Sequence, residues 1–277
     1  MAEVHSGLVA ITQTFERAKS EGRATFMPFF TVGYPDRPTS LDVLQALVEA
    51  GADALEIGMP FSDPLADGPT IQHASQVALE NGTRISHCIQ AVRTLRERGV
   101  SVPLVMMGYL NPLLAYGLER FVSDAAEAGA SGFIVPDLPP EEAEEFKALC
   151  AAHGLGFTPL IAPNSTPKRI AEVAEAARGF LYLVSVTGVT GARDTLPPDL
   201  TEYIARVRRT TALPLAVGFG ISQPSQARQI AAHADGVIVA SALIRLMEQE
   251  GLQAVYGLAK RLRAACVLQS EAADSQT

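Results

Sequence analysis

Eight short apolar segments alternate with amphipathic segments along almost the whole chain. Each apolar segment is rich in Val, Ile, Leu and Phe, and it is followed by turn residues and then by a helical pattern. The segments are residues 24–33, 52–60, 103–109, 131–138, 156–162, 180–186, 213–220 and 234–242. This alternation is typical of parallel β-strands covered by helices. Eight such units in about 250 residues predict an α/β protein with a closed (β/α)8 barrel.

An open, doubly wound sheet is the alternative arrangement of such units. It is disfavoured because no GxGxxG opens a helix after the first strand and no change in composition divides the chain. We therefore expect one TIM-barrel catalytic domain over 1–268 and a polar, disordered tail over 269–277. Extra helices are predicted after the second strand, within 71–98, and directly after the eighth strand, in the segment ALIRLMEQ.

Composition and charge exclude several kinds of partner. The chain is 48% hydrophobic and carries a net charge of −8, with no run of Lys or Arg, so we expect no nucleic-acid partner. Its first residues lack a basic segment followed by an apolar one, and no stretch approaches the ~18 apolar residues that span a membrane, so we expect no signal peptide and no membrane partner. Cys88, Cys150 and Cys266 are odd in number and far apart, which favours free thiols and a cytoplasmic location.

An acidic residue lies in the middle of the second predicted strand, in the segment ADALEIGMP. Side chains alternate between the two faces of a strand, and the bulky Leu55 and Ile57 suit the helix-covered face. Glu56 is therefore predicted to point into the barrel. A structural ion pair is the competing interpretation, but no predicted strand offers an inward Arg or Lys. Without such a partner, burial raises the pKa of Glu56 and suits it to general acid–base catalysis.

Two further carboxylates, Asp63 and Asp67, follow on the loop after this strand. Loops at this end of the strands carry the active sites of barrel enzymes, and prolines and glycines stiffen this one. Either aspartate alone could be a turn or cap residue. A metal site built from both aspartates and Glu56 is a weaker alternative, because its best additional ligand, His73, is predicted on the following helix.

The ends of the seventh and eighth strands carry signals of phosphate binding. AVGFGIS ends the seventh strand with two glycines, and VASALIRLMEQ runs from the eighth strand straight into a helix. In this fold, these loops and an extra helix N-terminus form a recurrent phosphate site. We expect the backbone N–H groups of Gly220, Ala240 and Ser241 to converge on an anion. The alternative to this phosphate site is that the glycines only form turns. Separately, the long segment 187–199 predicts a lid over the site, and its alternative is a passive loop.

The positions of the lysines and histidines in the sequence argue against two kinds of aldolase. Lys19, Lys147, Lys168 and Lys260 all fall in predicted helices or helix starts, which argues against a Schiff-base aldolase. The five histidines are scattered, which argues against a zinc-dependent aldolase. Acid–base chemistry by carboxylates on a small phosphorylated substrate remains.

The segments ALEIGMPFSDPLADGPTIQ, VPDLPPEE, YLVSVTGVTGAR and GFGIS together closely resemble the α subunit family of tryptophan synthase. The resemblance covers about residues 8–265. It implies a lyase that cleaves indole-3-glycerol phosphate to indole and glyceraldehyde 3-phosphate by a retro-aldol reaction, without metal or other cofactor. It also implies a β subunit as partner in an α2β2 heterotetramer, to which the indole is passed for tryptophan synthesis.

The resemblance also assigns roles to individual residues. Glu56 resembles the acid–base group, Asp67 the acceptor of the indole N–H, and Tyr182 the residue that braces this pair. The expected walls around the indole are Phe29, Ile71, Tyr109 and Phe219, with Thr190 as the lid contact. The expected phosphate cradle is Gly191, Gly220, Ala240 and Ser241. The expected face that communicates with the β subunit comprises Asp63, Asp137 and the loop around Asn111.

Three other functions stay open at this point. A phosphosugar isomerase would keep the same fold and phosphate site. A regulatory subunit would mainly bind and activate its partner. A stand-alone lyase would keep the cleavage reaction and release free indole.

Overall fold

Parallel strands and helices alternate throughout the described chain. The computed structural model describes residues 6–184, 198–218 and 220–268. In these ranges the strands are β1 (Thr25–Thr31), β2 (Leu55–Gly58), β3 (Leu104–Met107), β4 (Gly132–Ile134), β5 (Gly156–Phe157), β6 (Leu160–Ile161), β7 (Leu181–Val184), β8 (Leu215–Gly218) and β9 (Gly236–Val239). The helices are α1 (Gly7–Ser20), α2 (Arg37–Glu49), α3 (Pro69–Glu80), α4 (Ile85–Glu97), α5 (Leu110–Tyr116), α6 (Leu118–Ala128), α7 (Glu144–Ala152), α8 (Pro167–Ala176), α9 (Leu200–Arg208), α10 (Pro224–Ala231), α11 (Ser241–Glu250) and α12 (Leu252–Ala265), with a 3-10 turn at Pro140–Glu142.

The strands form one curled parallel sheet. Its order over the described residues is β5-β4-β3-β2-β1-β9-β8-β7-β6, so β1 pairs with both β2 and β9. The two edge strands, β5 and β6, are consecutive in the chain and only two residues apart. The chain itself therefore joins the two edges of the sheet, and the predicted TIM barrel is confirmed.

The predicted fifth strand, 156–162, is divided into β5 and β6. Gly156 and Phe157 pair with β4, whereas Leu160 and Ile161 pair with β7. Pro159 lies between them and has no N–H to donate, so the ladder is interrupted where the chain changes neighbours. The next two strands along the chain, β7 and β8, are the predicted sixth and seventh strands, and β9 is the eighth.

The predicted extra helices are present, and the structure contains one more helix, α5, that the sequence does not predict. Two helices, α3 and α4, connect β2 to β3, and α11 begins directly after β9, which confirms the prediction. The predicted loop around Asn111 is wrong, because Asn111 lies in the short helix α5. A tertiary contact explains the difference: the Leu110 N–H at the start of α5 donates to Asp137 Oδ1 at 2.9 Å. Pro112 in the first turn is compatible with a helix start.

The main core lies between the sheet and the surrounding helices. Large side chains such as Phe26, Phe30, Phe133 and Phe157 are fully buried there. Strands covered on both faces explain why the strand segments are nearly all apolar. None of the helices in the described part of the chain combines the length and the apolar character that crossing a membrane requires. Residues 187–197 of the predicted lid and the tail 269–277 lie outside the described residues, so the domain bounds stay a prediction.

Candidate active site

The carboxyl end of the barrel contains a buried pocket around Glu56. Glu56 is the second residue of β2 and pairs with Phe29 of β1 and Val105 of β3. The described residues that line the pocket are Phe29, Glu56, Asp67, Ile71, Met107, Tyr182, Gly220, Ile221, Ile238, Ala240 and Ser241. Eight of these come from the predicted site set. The barrel therefore brings residues from distant parts of the sequence together around Glu56. Its side chain lines this pocket, as the alternation along β2 predicts.

Glu56 is an isolated buried acid. Its side chain is 1% exposed, and neither carboxyl oxygen has a hydrogen-bond partner among the described residues. Burial, and after it the negative charge of Asp67, hold the pKa of Glu56 well above its usual value. Burial thus favours the protonated form of Glu56, which can donate a proton, and an accepting substrate would supply the missing hydrogen bond.

Asp67 is held by its own loop at the start of α3. Its N–H donates to Pro64 O at 3.0 Å, and its carbonyl accepts from Gln72 Nε2 at 2.8 Å. Burial raises the pKa of Asp67 to about 6, against the lowering effect of a hydrogen bond from Tyr109. Asp67, with a pKa of about 6, is mostly ionised at neutral pH, whereas burial and the charge of Asp67 favour the protonated form of Glu56. One carboxylate beside one carboxylic acid is a recurrent arrangement for acid–base catalysis.

Tyr182 lies against the backbone of the neighbouring strand. A Cβ atom at position 218 would be 2.1 Å from the Tyr182 hydroxyl oxygen, so this contact requires Gly218. Burial first, and then the charges of Glu56 and Asp67, raise the pKa of Tyr182 well above its usual value. Its hydroxyl group remains neutral over the whole physiological range and can act only as a neutral hydrogen-bonding group.

Gly220 and the start of α11 bring backbone groups into the pocket lining. Gly220 adopts a positive φ of 79°, which favours glycine. Ala240 is the N-cap of α11, and Ser241 is its first residue. The first N–H groups of a helix have no intrahelical acceptor, and the helix dipole places partial positive charge there. This part of the lining can bind an anion without a basic side chain.

The remaining predicted wall residues divide into three groups. Phe29 and Ile71 line the pocket, whereas Tyr109 lies next to Asp67 and is not among the described lining residues. Phe219, Thr190 and Gly191 lie outside the described residues. The sequence interpretation missed Met107, Ile221 and Ile238. The alternation used for Glu56 could have found Met107, which lies near the end of β3.

The three residues predicted for partner communication lie on the surface beside the pocket. Asp63 is exposed and its carboxylate accepts from Ser62 Oγ at 2.5 Å. Asp137 and Asn111 are also exposed, and Asp137 caps the helix that carries Asn111. The structure therefore places the last two in one local unit, and their role in communication stays a prediction.

The described residues do not group into a metal site. Within 6–184, 198–218 and 220–268, no three His, Cys, Asp or Glu side chains are placed to hold an ion. His73 lies on α3, where Nε2 is 3.7 Å from Glu248 Oε1 at the surface. All four lysines lie in helices, outside the pocket.

The fold and the pocket together define a class of protein: a TIM-barrel enzyme with a pair of buried carboxyl groups beside the N-terminus of a helix. The family model described as "Tryptophan synthase alpha chain" matches residues 15–273. The chain belongs to the tryptophan synthase alpha chain family.

Individual relatives agree with this assignment. The chain is 55% identical to the tryptophan synthase alpha chain of Chloroflexus aggregans over 239 residues, which are 86% of this chain and 90% of the relative. The corresponding protein of Roseiflexus castenholzii is 54% identical, over 86% of this chain and 92% of that protein. A solved structure of Mycobacterium tuberculosis tryptophan synthase superposes with a TM-score of 0.88 at 41% identity, covering 94% of this chain and 98% of that chain.

Proposed function

We propose that this chain cleaves indole-3-glycerol phosphate to indole and glyceraldehyde 3-phosphate, as the α subunit of a tryptophan synthase. The observation that carries the proposal is the buried, unpartnered carboxyl group of Glu56 beside an ionised Asp67. Family membership supplies the reaction, and the pocket supplies groups suited to each of its steps. The indole ring takes up the electrons of the broken bond, so the reaction needs neither a lysine nor a metal ion.

Glu56 performs both proton transfers of the cleavage. The protonated carboxyl group donates its proton to C3 of the indole, and the ring nitrogen takes up the positive charge. The carboxylate that results then removes the proton of the hydroxyl group next to the bond that breaks. The C–C electrons return to the ring, the aldehyde forms, and Glu56 ends the cycle protonated. A raised pKa favours this order, because the resting group must carry a proton.

Asp67 stabilises the charge that develops in the first step. An ionised carboxylate that accepts the indole N–H offsets the positive charge of the protonated ring. Its free oxygen, Oδ1, has no hydrogen-bond partner among the described residues and suits this acceptor role. Tyr182 is buried in the same pocket, against Gly218 and close enough to feel the charges of both carboxyl groups, and its ring braces this pair.

The phosphate group of the substrate occupies the part of the pocket lined by Gly220 and the start of α11. The N–H groups at the start of α11 and the turn at Gly220 suit a dianion. None of the described lining residues is basic, so the helix terminus supplies the positive potential. The α11 N-terminus thereby anchors the substrate at the end opposite to its indole ring.

A β subunit is the proposed partner, in an α2β2 assembly that transfers indole between sites. Solved relatives carry the printed name tryptophan synthase, including the Mycobacterium tuberculosis structure. The cytoplasm is the proposed location, since Cys88, Cys150 and Cys266 are all free thiols.

Indole release tests the proposal directly. The purified chain is mixed with indole-3-glycerol phosphate, alone and with a β subunit, and indole is followed by its absorbance or by gas chromatography. We expect indole in both mixtures and a strong rise in kcat with the β subunit. No indole in either mixture would overturn the proposal, and the phosphosugar isomerase alternative would then be tested by incubation with triose and pentose phosphates.

The partner is tested by the same measurement. A chain that releases indole at full rate alone, and is not accelerated by the β subunit, would be a stand-alone lyase. The regulatory alternative predicts the opposite result, in which the chain activates the β subunit but its Glu56→Gln variant cleaves as well as the wild type.

A further inference from the structure

The side chain of Tyr109 is fixed against the loop that carries Asp67. It follows β3 and is 4% exposed. Its hydroxyl oxygen accepts the Ala66 N–H at 3.0 Å, and its ring lies 5.3 Å from the ring of Phe61, centroid to centroid. Both contacts are with the 61–67 loop, so this ring holds the loop from the side of β3.

The hydroxyl proton of Tyr109 has a defined acceptor. The phenol donates to the carboxylate of Asp67, and it also accepts from the residue before it, Ala66. Oδ1 of Asp67 has no partner among the described residues. A carboxylate that is bound through one oxygen only is fixed in orientation and keeps its second oxygen for another donor.

The backbone of Tyr109 is anchored as well. The next residue, Leu110, donates its N–H to Asp137 Oδ1 at 2.9 Å, which starts α5 and keeps Tyr109 in an extended conformation as its N-cap. Three strand ends, those of β2, β3 and β4, are therefore connected through Asp67, Tyr109 and Asp137. The backbone of Tyr109 is therefore anchored to the barrel through Leu110 and Asp137, in addition to the contacts of its ring with the 61–67 loop.

We propose that Tyr109 is a positioning residue, which orients the carboxylate of Asp67 so that Oδ1 faces the N–H group of the substrate's indole ring. This role rests on the function proposed above and adds to it a residue that acts through Asp67. The hydroxyl group of Tyr109 thus orients the Asp67 carboxylate, which an apolar side chain at position 109 could not do.

The electrostatics of Asp67 set the sign of the expected effect. Burial raises the pKa of Asp67, and the hydrogen bond from Tyr109 lowers it. Removing the hydroxyl group therefore raises this pKa further. Because the reaction uses ionised Asp67, the acidic limb of the kcat/KM profile must move to higher pH.

The test compares two tyrosine variants of the full-length chain. Tyr109→Phe removes the proposed hydrogen bond and keeps the ring. Tyr116→Phe is the matched control: its hydroxyl donates to Asp124 Oδ2 at 2.6 Å, so it also loses a tyrosine–aspartate hydrogen bond, but outside the pocket. For each chain, kcat and KM for indole-3-glycerol phosphate are measured from pH 5 to 9 with the β subunit, and thermal unfolding is recorded.

We expect Tyr109→Phe to move the acidic limb up by about one pH unit, the size of one hydrogen bond. At the pH optimum of this variant, kcat falls about tenfold relative to the wild type while KM changes less than about twofold. The reason is that the hydrogen bond between Asp67 and the indole N–H strengthens in the transition state. Tyr116→Phe leaves the profile unchanged. An unshifted limb in Tyr109→Phe, equal shifts in both variants, or a Tyr109→Phe chain that does not fold would overturn the proposal.

A second measurement is independent of activity. Carbon-13 NMR of the aspartate carboxyl groups, with the Asp67 signal assigned from Asp67→Asn, gives the pKa of Asp67 in both chains. We expect it to be higher in Tyr109→Phe than in the wild type, and equal values would contradict the role of Tyr109. If the wild-type chain released no indole, the proposed function would fail, while this titration would still decide how Tyr109 acts on Asp67.

Discussion

Glu56 and Asp67 are two buried carboxyl groups of one pocket, and burial raises the pKa of both. Burial and the Asp67 charge raise the pKa of Glu56 well above its usual value, whereas that of Asp67 reaches about 6. The environment therefore favours a protonated Glu56 beside an ionised Asp67.

Replacing Glu56 by Gln tests the proton-transfer role. The side chain keeps its size but can neither donate a proton to the ring nor remove one from the hydroxyl group, so we expect kcat to fall by at least about 10³-fold. Folding, and activation of the β subunit by the variant, stay close to wild type. Cleavage that persists within about tenfold, or ~1.4 kcal/mol of barrier, would remove Glu56 from this role.

The pH dependence of kcat/KM is expected to be bell-shaped. Activity rises as Asp67 ionises, with a midpoint at about pH 6. It falls again at higher pH as Glu56 loses the proton that it must donate, since the pKa of Glu56 lies well above its usual value. Steady-state assays from pH 5 to 9 check both limbs. If the acidic limb of the kcat/KM profile stays unchanged in the Asp67→Asn variant, that limb reports the ionisation of a group other than Asp67.

Replacing Asp67 by Asn is expected to stabilise the fold above pH 6. The folded-state pKa of about 6 exceeds the ordinary aspartate value of 3.8, so the folded chain binds the proton more tightly and ionisation costs stability as pH rises from about 4 to 6. The full cost is about 3 kcal/mol above that window. Urea unfolding at pH 8 should show Asp67→Asn more stable by about 1–3 kcal/mol. The difference should vanish below pH 4, where both states are protonated.

A methyl group at position 218 is expected to displace Tyr182. The new Cβ would lie 2.1 Å from the Tyr182 hydroxyl oxygen, which the packed barrel cannot accommodate without movement. We expect Gly218→Ala to cost about 1–3 kcal/mol of stability and to lower kcat. Gly257→Ala is the control: it lies in α12, and its Cβ would meet only Arg261 Nη1, at 3.6 Å. It should be neutral or stabilising by up to about 1 kcal/mol.

Two exposed leucines beside the pocket are expected to contact the β subunit. Leu65 is 86% exposed on the loop after β2, and Leu114 is 55% exposed on α5. Burying such side chains in an interface is favourable by about 1.5–3 kcal/mol each. Leu65→Ser and Leu114→Ser should therefore weaken β-subunit binding, measured by calorimetry, without changing the activity of the isolated chain. Val9→Ser, at a 49% exposed position on α1, should leave the affinity unchanged.

Much of the barrel could be predicted from local pattern. Apolar segments alternate with helices because strands covered on both faces need apolar side chains everywhere. Glu56 departs from that rule, and the parity of β2 was enough to place it in the pocket. The helix after the eighth strand was likewise visible as a segment without turn residues before it.

Other features depended on contacts between distant residues. The sequence does not predict helix α5, because the carboxylate that caps it, Asp137, comes 27 residues after Leu110. It predicts only a wall of the pocket at Tyr109, since nothing nearby in the chain points to Ala66, 43 residues earlier. Hydrogen bonds of this kind leave no local pattern in a sequence.

The sequence by itself determined the closed barrel, the inward position of Glu56 and the helix N-terminus suited to phosphate, because each follows from a pattern among residues that are close in the chain. Only the tertiary structure decided how the site is ordered electrostatically. Burial depends on everything packed around a group, so the raised pKa of Glu56 and the value of about 6 for Asp67 arise only when β2, β3 and β7 are assembled. The hydroxyl of Tyr109 acts on Asp67 for the same reason: the barrel brings together residues that the chain keeps apart.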